Sequence, residues 1–191
     1  PISGGWYNYR FETPVFPDYP KYGVWRDAYY LASNETNGPA LYALDREQML
    51  AGSTGTLQRF TVAALTGFDF QALIPSDIDG PTLPPTNAPN YFIRHRDDEA
   101  HNTPTNDVSQ DFLEIFEFHV DFATPANSTV TGPFTIPITE FDSSLCSYNS
   151  MNCIPQPGTA TKLDPIVQVV MWRFQYRNFG THESLVGCFS T

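Results

Sequence analysis

The densest group of side chains capable of chemistry lies in the segment RHRDDEAHNTPTND, residues 94–107. Its carboxylates are those of Asp97, Asp98, Glu99 and Asp107. Carboxylate oxygens on a flexible loop suit calcium, which accepts about six to eight oxygen ligands in irregular geometry. The segment lacks the glycine and the closing glutamate of an EF-hand, and its two histidines lack the third ligand that a zinc site needs. We therefore expect calcium at these four carboxylates, with a solvated charged loop as the alternative.

Six further polar side chains lie beside short predicted strands in three separate parts of the chain. They are Asp18, Lys21, Asp77, Asp79, His182 and Glu183. If those strands fan about a common axis, the side chains meet at one end of the central channel, the mouth. There they could supply a general acid/base pair or a cation site. The alternative interpretation is that the aspartates cap turns and that His182 bonds to a backbone carbonyl.

Two arginines on one predicted strand face are candidates for ligand binding. Arg173 and Arg177 could recognise the carboxylate of an acidic sugar, or they could pair with the excess of acidic residues. Glu117, His119 and Asp121 also share a strand face, a pattern that a solvent-facing strand produces equally well. The nucleophile elbow, the P-loop and the zinc-protease helix motif are absent from the sequence. A hydrolase would therefore have to use paired carboxylates or a histidine with a carboxylate.

The elements that must position these groups are mostly strands. Apolar and polar residues alternate with a period of two over residues 116–122 and 170–177, which is typical of half-buried strands. Further short strands are predicted at 22–25, 28–32, 57–63, 90–93, 134–138 and 184–189. One helix is predicted over 46–51, because Asp45 can cap its start and Gly52 can end it. The pattern predicts an all-β, antiparallel fold, as either a partial propeller or a β-sandwich.

Composition excludes several classes of function. The 191 residues include 21 acidic and 10 basic ones, and the formal charge of −11 disfavours binding to nucleic acid or to anionic membranes. No apolar run reaches the ~18 residues of a membrane span, so no membrane insertion is expected. Seventeen prolines and 12 glycines indicate many turns. Because the chain begins at Pro1, we expect a mature or trimmed product. Its length favours a single β domain over 1–191.

The cysteines indicate an oxidising compartment. Cys146 and Cys153 are spaced for a small disulfide ring, and Cys188 is left over, either with a partner outside the chain or as a free buried thiol. Loops rich in Asn and Thr and the presence of only two lysines are also typical of extracellular proteins. Asn34 and Asn127 lie in glycosylation sequons, which matter only in a host that glycosylates. The sequence therefore predicts a secreted protein with a Cys146–Cys153 disulfide.

The chain contains the strings FPDYPKYGVW, RHRDDEAHN and NFGTHES. With these and neighbouring segments, residues 5–189 resemble a family of large secreted bacterial proteins that are interpreted as β-propeller-like. The resemblance implies a partial propeller of antiparallel four-stranded blades, with approximate units at 5–66, 67–142 and 160–191, the third truncated. In that family the domain extends beyond both ends of this sequence. We therefore expect the ring to be completed by the remaining part of the propeller or by a second copy of the chain.

Two classes of function follow from this interpretation. The first is a secreted recognition or scaffolding module, binding glycans or itself, with calcium as a structural ion. The alternative is a glycan hydrolase or lyase that uses the aspartates, His182 and Glu183 at the propeller mouth. An enzyme requires several of these side chains to lie within a few ångströms around a concave pocket, with at least one shifted pKa.

Overall fold

The computed structural model describes residues 3–67, 70–101, 108–143, 146 and 152–190. Within these ranges the chain forms ten strands and one α-helix, and the predicted all-β class is confirmed. The elements are β1 Asp18–Val24, β2 Ala28–Asn34, β3 Ala40–Asp45, α1 Arg46–Ala51, β4 Leu57–Thr61, β5 Ile74–Ile78, β6 Asn90–Arg96, β7 Gln110–His119, β8 Thr129–Thr139, β9 Met171–Asn178 and β10 Glu183–Cys188.

The first sheet is a four-stranded antiparallel meander in the order β1-β2-β3-β4. Tyr30 pairs with Ala43 across β2 and β3, and Leu41 pairs with Phe60 across β3 and β4. Helix α1 follows β3 directly and has the predicted ends. The Asp45 carboxylate accepts the Gln48 N–H at 3.1 Å, and Gly52 adopts the left-handed conformation, with φ of 72°, that ends many helices.

The second sheet has six strands in the order β10-β9-β5-β6-β7-β8. Strands β5 and β9 are parallel, with Ser76 opposite Phe174, whereas the other described pairs in this sheet are antiparallel. The expectation of a purely antiparallel fold is therefore wrong at this pair. The interval 160–191 supplies β9 and β10, which extend the sheet at β5 and form no separate sheet of their own. The choice between propeller and sandwich stays a prediction.

A core rich in aromatic residues joins the two sheets. Trp25 and Tyr30 come from the first hairpin, while Phe92, Phe118 and Tyr176 come from the second sheet, and all five are buried. Rings pack mainly edge to face, as between Tyr30 and Phe118 with centroids 5.4 Å apart. The predicted alternation on β7 holds, since Phe118 is fully buried and the adjacent His119 is exposed.

Strand β1 crosses close to β5, and a glycine permits the approach. A Cβ at Gly23 would collide with the carbonyl oxygen of Ser76, so a side chain at this position would push the two backbones apart. Next to it, the Val24 N–H donates to Asp77 Oδ1 at 2.8 Å. This contact fixes the first sheet against the second and determines where the turn after β1 lies.

The covalent predictions have mixed outcomes. The Cys146–Cys153 disulfide is formed as predicted. Cys188 carries a free thiol that is exposed, so the expectation of a free buried thiol is wrong. None of the described helices combines the length and the hydrophobicity needed to cross a bilayer.

Candidate ligand groove and acidic site

A polar groove lies between the β1–β2 turn, the start of α1, the 85–88 loop and the segment that follows β7. One part has a volume of about 530 Å³ and an adjoining part about 610 Å³. The polar residues that the argument uses are Arg26, Asp27, Glu47, Asn87, His119 and Asp121. Because Arg26, Asp27 and Glu47 line both parts, the two parts form one groove.

The β1–β2 turn is held firmly against the loop on the opposite side of the groove. The Trp25 N–H donates to the Ala28 carbonyl at 3.0 Å and closes the turn. The Trp25 indole donates to the Ala88 carbonyl at 3.2 Å, and the Arg26 guanidinium donates to the Pro84 carbonyl at 3.1 Å. Because Trp25 is also a core residue, the groove rests on the rigid part of the fold.

Asp27 lines both parts of this groove, and its pKa is raised. Loss of hydration raises the pKa of Asp27, although its own N–H, the Tyr30 hydroxyl and the nearby His119 ring act in the opposite direction. The Tyr30 hydroxyl lies 3.4 Å from each Asp27 oxygen. Burial and the Asp27 charge raise the pKa of Tyr30, so its phenol stays a neutral donor. Loss of hydration outweighs these hydrogen bonds, and the pKa of Asp27 lies above that of an ordinary aspartate.

Asp121 has the opposite environment in the same cavity. Its Oδ1 accepts the Thr124 N–H at 2.7 Å, and its Oδ2 accepts the Asn127 side-chain amide at 3.2 Å. These hydrogen bonds to the ionised form lower the pKa of Asp121. The Ser128 hydroxyl closes the same turn by accepting the Asp121 N–H at 2.7 Å. The groove therefore contains one carboxyl group that favours the protonated form and one that favours the charged form.

A separate acidic site forms where β6 ends, β7 begins and the chain leaves β8. Carboxylate oxygens of Asp97, Glu99 and Asp111 lie within 4.8 Å of one another. A cavity of about 200 Å³ lies beside them and is also lined by Glu140 and Asp142. Such a group of hard oxygen donors could hold a cation of the calcium type.

Backbone donors fix two of these carboxylates. Asp97 accepts the Ala100 N–H at 2.9 Å through one oxygen and the Ser143 N–H at 2.8 Å through the other. Asp111 accepts the N–H groups of Asp98 and Phe141, each at 2.9 Å. The two carboxylates thereby join the 97–101 turn to the segment after β8.

The ionised form of Glu99 is disfavoured by its surroundings in the acidic site. Both of its carboxylate oxygens are buried. Burial, together with the carboxyl groups of Asp98 and Glu140, raises the pKa of Glu99 to about 7. A cation in the adjacent cavity would relieve this repulsion.

Of the four residues expected to bind calcium, Asp97 and Glu99 belong to this group, and Asp98 interacts with Glu99 beside it. The fourth, Asp107, lies outside the described residues. Sequence reasoning missed Asp111 and Glu140. The register of β7 with β8 brings these two near the turn, since Asp111 pairs with Ile138. No local pattern in the sequence indicates that pairing.

Most of the residues expected at a propeller mouth have structural partners. Asp77 accepts the Val24 N–H and forms an ion pair with Arg173, and Asp79 lies 3.8 Å from Arg177. The two arginines therefore pair with acidic residues, which was the alternative to binding a sugar carboxylate. Glu183 accepts the Tyr176 hydroxyl at 2.6 Å.

The other predicted mouth residues are dispersed. Asp18 accepts the N–H of Tyr19 at 2.9 Å, and the Lys21 ammonium lies 3.6 Å from the centroid of the Tyr19 ring. Asp77 binds Val24 at the other end of β1, and an extended strand of seven residues spans about 20 Å. His182 is exposed and stacks on Phe179, with centroids 4.8 Å apart. Asp77 and Asp79 thus pair with arginines of β9, Glu183 on β10 contacts Tyr176, and Asp18 lies at the far end of β1.

Comparison of the chain with protein-family models, with curated proteins and with solved structures finds no match.

Proposed function

We propose that this protein is an extracellular recognition module that binds neutral glycans in the groove between the β1–β2 turn and the end of β7. The groove itself supports the proposal most strongly. Sites for small ligands are concave and carry a few well-placed polar groups, and this groove presents carboxylates, an amide, an imidazole and a guanidinium on rigid elements. Such groups match the hydroxyls of a sugar, each of which can donate and accept hydrogen bonds.

The charge of the groove favours neutral sugars. Asp27, Glu47 and Asp121 line its first part together with Arg26 as the cationic group, and the whole chain has a formal charge of −11. An acidic glycan would meet a repulsive field on approach and in the site. The adjoining part also offers the apolar side chains of Leu50 and Phe122, against which the C–H face of a sugar ring can pack.

Binding can be tested by calorimetry with neutral hexasaccharides of glucose, mannose and xylose. We expect at least one of them to bind, and the double variant Glu47→Ala, His119→Ala to bind it at least ~10-fold more weakly, a loss of about 1.4 kcal/mol. Glu12→Ala is the matched control, because Glu12 is exposed and does not line the groove. The proposal is wrong if none of the hexasaccharides binds, or if the double variant binds as well as Glu12→Ala.

The acidic site supports the second part of the proposal, a structural calcium ion. Asp97, Glu99 and Asp111 would hold it, since their oxygens are already gathered and Glu99 resists ionisation in the absence of a cation. A cation at ~100 times its Kd would add about 2.7 kcal/mol to the free energy of unfolding. For a chain of this size that corresponds to an increase in Tm of about 5–11 °C.

The measurement is a melting curve in calcium and in EDTA. We expect EDTA to lower Tm, and we expect Glu99→Gln to melt at the same temperature in both conditions. Glu12→Gln should respond to EDTA as the wild type does. An unchanged Tm of the wild type in EDTA would rule out a structural ion.

The proposal also includes the propeller-like arrangement and its completion by another copy or by further blades. The β1–β4 sheet is a four-stranded antiparallel meander, which is the form of a propeller blade. Strands β8 and β10 end the second sheet, and each exposes apolar side chains, for example Phe134 and Val186. Light scattering on a size-exclusion column tests self-completion: a dimer or higher oligomer is expected, and a monomer at tens of micromolar rejects it.

A further inference from the structure

We infer that the groove also hydrolyses the glycosidic bond of the neutral glycan that it binds, with Asp27 as the proton donor and Asp121 as the carboxylate that activates water. The inference rests on the proposed glycan binding and adds a reaction to it. Its basis is that the carboxyl groups of Asp27 and Asp121 line one cavity of about 530 Å³. Glycoside hydrolysis commonly needs such a pair, one group to protonate the leaving oxygen and one to act from the other side of the sugar ring.

Asp27 is placed where it can donate a proton into the cavity. It lies on the turn between β1 and β2, where the buried Tyr30 hydroxyl contacts both carboxyl oxygens at 3.4 Å. Because Tyr30 is buried in the core, its hydroxyl restrains the Asp27 carboxyl group from the core side. The side chain of Asp27 remains accessible from the groove, so that a sugar oxygen can reach it.

Asp121 is suited to remain ionised. It enters the same cavity two residues after the end of β7, held by the Thr124 N–H and by the Asn127 amide. Each of its oxygens accepts one of these donors and retains a lone pair for a water molecule. His119 lines the cavity next to it and can bind a sugar hydroxyl.

The reaction balances with water as the co-substrate. The Asp27 proton moves to the glycosidic oxygen as the bond from that oxygen to the anomeric carbon breaks, and the bonding electron pair stays on the leaving oxygen. A water oxygen forms a new bond to the anomeric carbon, and a proton of that water moves to Asp121. One water is consumed, two shorter sugars leave, and proton exchange with solvent restores both carboxyl groups.

The environments of the two groups agree with these roles. Desolvation raises the pKa of Asp27 above the usual 3.8, and hydrogen bonding lowers the pKa of Asp121 below the same value. Asp27 must be protonated and Asp121 ionised, so turnover requires a pH between the two pKa values. We expect a bell-shaped pH profile whose maximum includes the region around 3.8.

The experiment incubates the 191-residue chain with the neutral hexasaccharides used for binding and measures shorter products by chromatography. We expect cleavage, with Asp27→Asn and Asp121→Asn at least ~100-fold slower while hexasaccharide binding remains measurable. Asp164→Asn is the matched control at full rate, because Asp164 is an exposed aspartate that caps a distant turn through Ile166. Melting curves verify that each variant is folded. If Asp121→Asn lowers Tm, the comparison of Asp27→Asn with the wild type alone tests the proposal.

The outcomes separate the two proposals. Binding without product would overturn hydrolysis and leave the recognition function in place, whereas absence of binding would remove both. Cleavage that persists in Asp27→Asn, or a rate that only rises towards neutral pH, would overturn the assigned roles.

Discussion

Replacement of Asp77 by alanine should destabilise the fold because this carboxylate connects three strands. Its side chain is only 10% exposed and forms an ion pair with Arg173 on β9. Its other oxygen accepts the Val24 N–H of β1 at 2.8 Å. An N–H that loses its acceptor costs about 1–3 kcal/mol, and a partly exposed ion pair adds about 1 kcal/mol. Asp77→Ala should therefore cost about 2–4 kcal/mol, or about 4–16 °C in Tm.

Asp79→Ala is the matched control, two residues further along the same segment. Asp79 lies 3.8 Å from Arg177, and both side chains are about half exposed (44% and 50%). A pair of this kind contributes at most about 1 kcal/mol. Urea denaturation followed by tryptophan fluorescence measures both variants, since Trp25 lies in the core and Trp172 donates to the Tyr22 carbonyl beside this contact. The reasoning fails if Asp79→Ala costs as much as Asp77→Ala, or if Asp77→Ala stays within about 0.5 kcal/mol of wild type.

Three other measurements test the buried charges. Burial lowers the pKa of His95 to about 4, so as pH falls the unfolded chain protonates this histidine before the folded chain does. The free energy of unfolding should therefore decline as pH falls from 6.5 towards 4. Urea denaturation at a series of pH values should show this decline in the wild type and a smaller one in His95→Gln. The pKa of Glu99 is raised to about 7, so in EDTA its contribution should decline as pH rises from 4.5 to 7, and Glu99→Gln should remove that decline. Arg59→Met leaves the buried Glu35 without its ion pair and should cost about 3–5 kcal/mol in urea, and a loss below about 1 kcal/mol would contradict this. For either pH series, an identical slope in wild type and variant would show that the named group does not titrate as described.

The local elements were predictable because short-range rules determine them. The alternation around Phe116 and Phe118 reports which face of β7 is buried, and both rings are buried in the core. Asp45 and Gly52 mark the ends of α1 through backbone hydrogen bonds that need only neighbouring residues. The closeness of carboxylates in the acidic loop was predictable for the same reason, because Asp97, Asp98 and Glu99 are consecutive in the sequence.

The long-range pairings were not predictable from the same rules. Periodicity identifies a strand and its buried face, but it carries no information on the neighbouring strand, so the parallel contact of β5 with β9 was missed. Asp77 was predicted to serve in an acid/base or cation site and Arg173 to bind a ligand, and the unforeseen contact of β5 with β9 joins them in an ion pair. The groove has the same origin, since Asp27 and Asp121 are remote in sequence and meet only through the packing of the two sheets.

The hydrogen bond from Asn127 to Asp121 makes the choice of expression host matter. Asn127 is followed by Ser128 and Thr129, so a eukaryotic secretory pathway can attach an oligosaccharide to the same amide nitrogen that holds the carboxylate. The attached oligosaccharide would occupy the rim of the groove and replace one of the two hydrogens of the Asn127 side-chain amide. Material from yeast or mammalian cells should therefore have a higher mass and an obstructed groove, whereas bacterial material would retain an open groove.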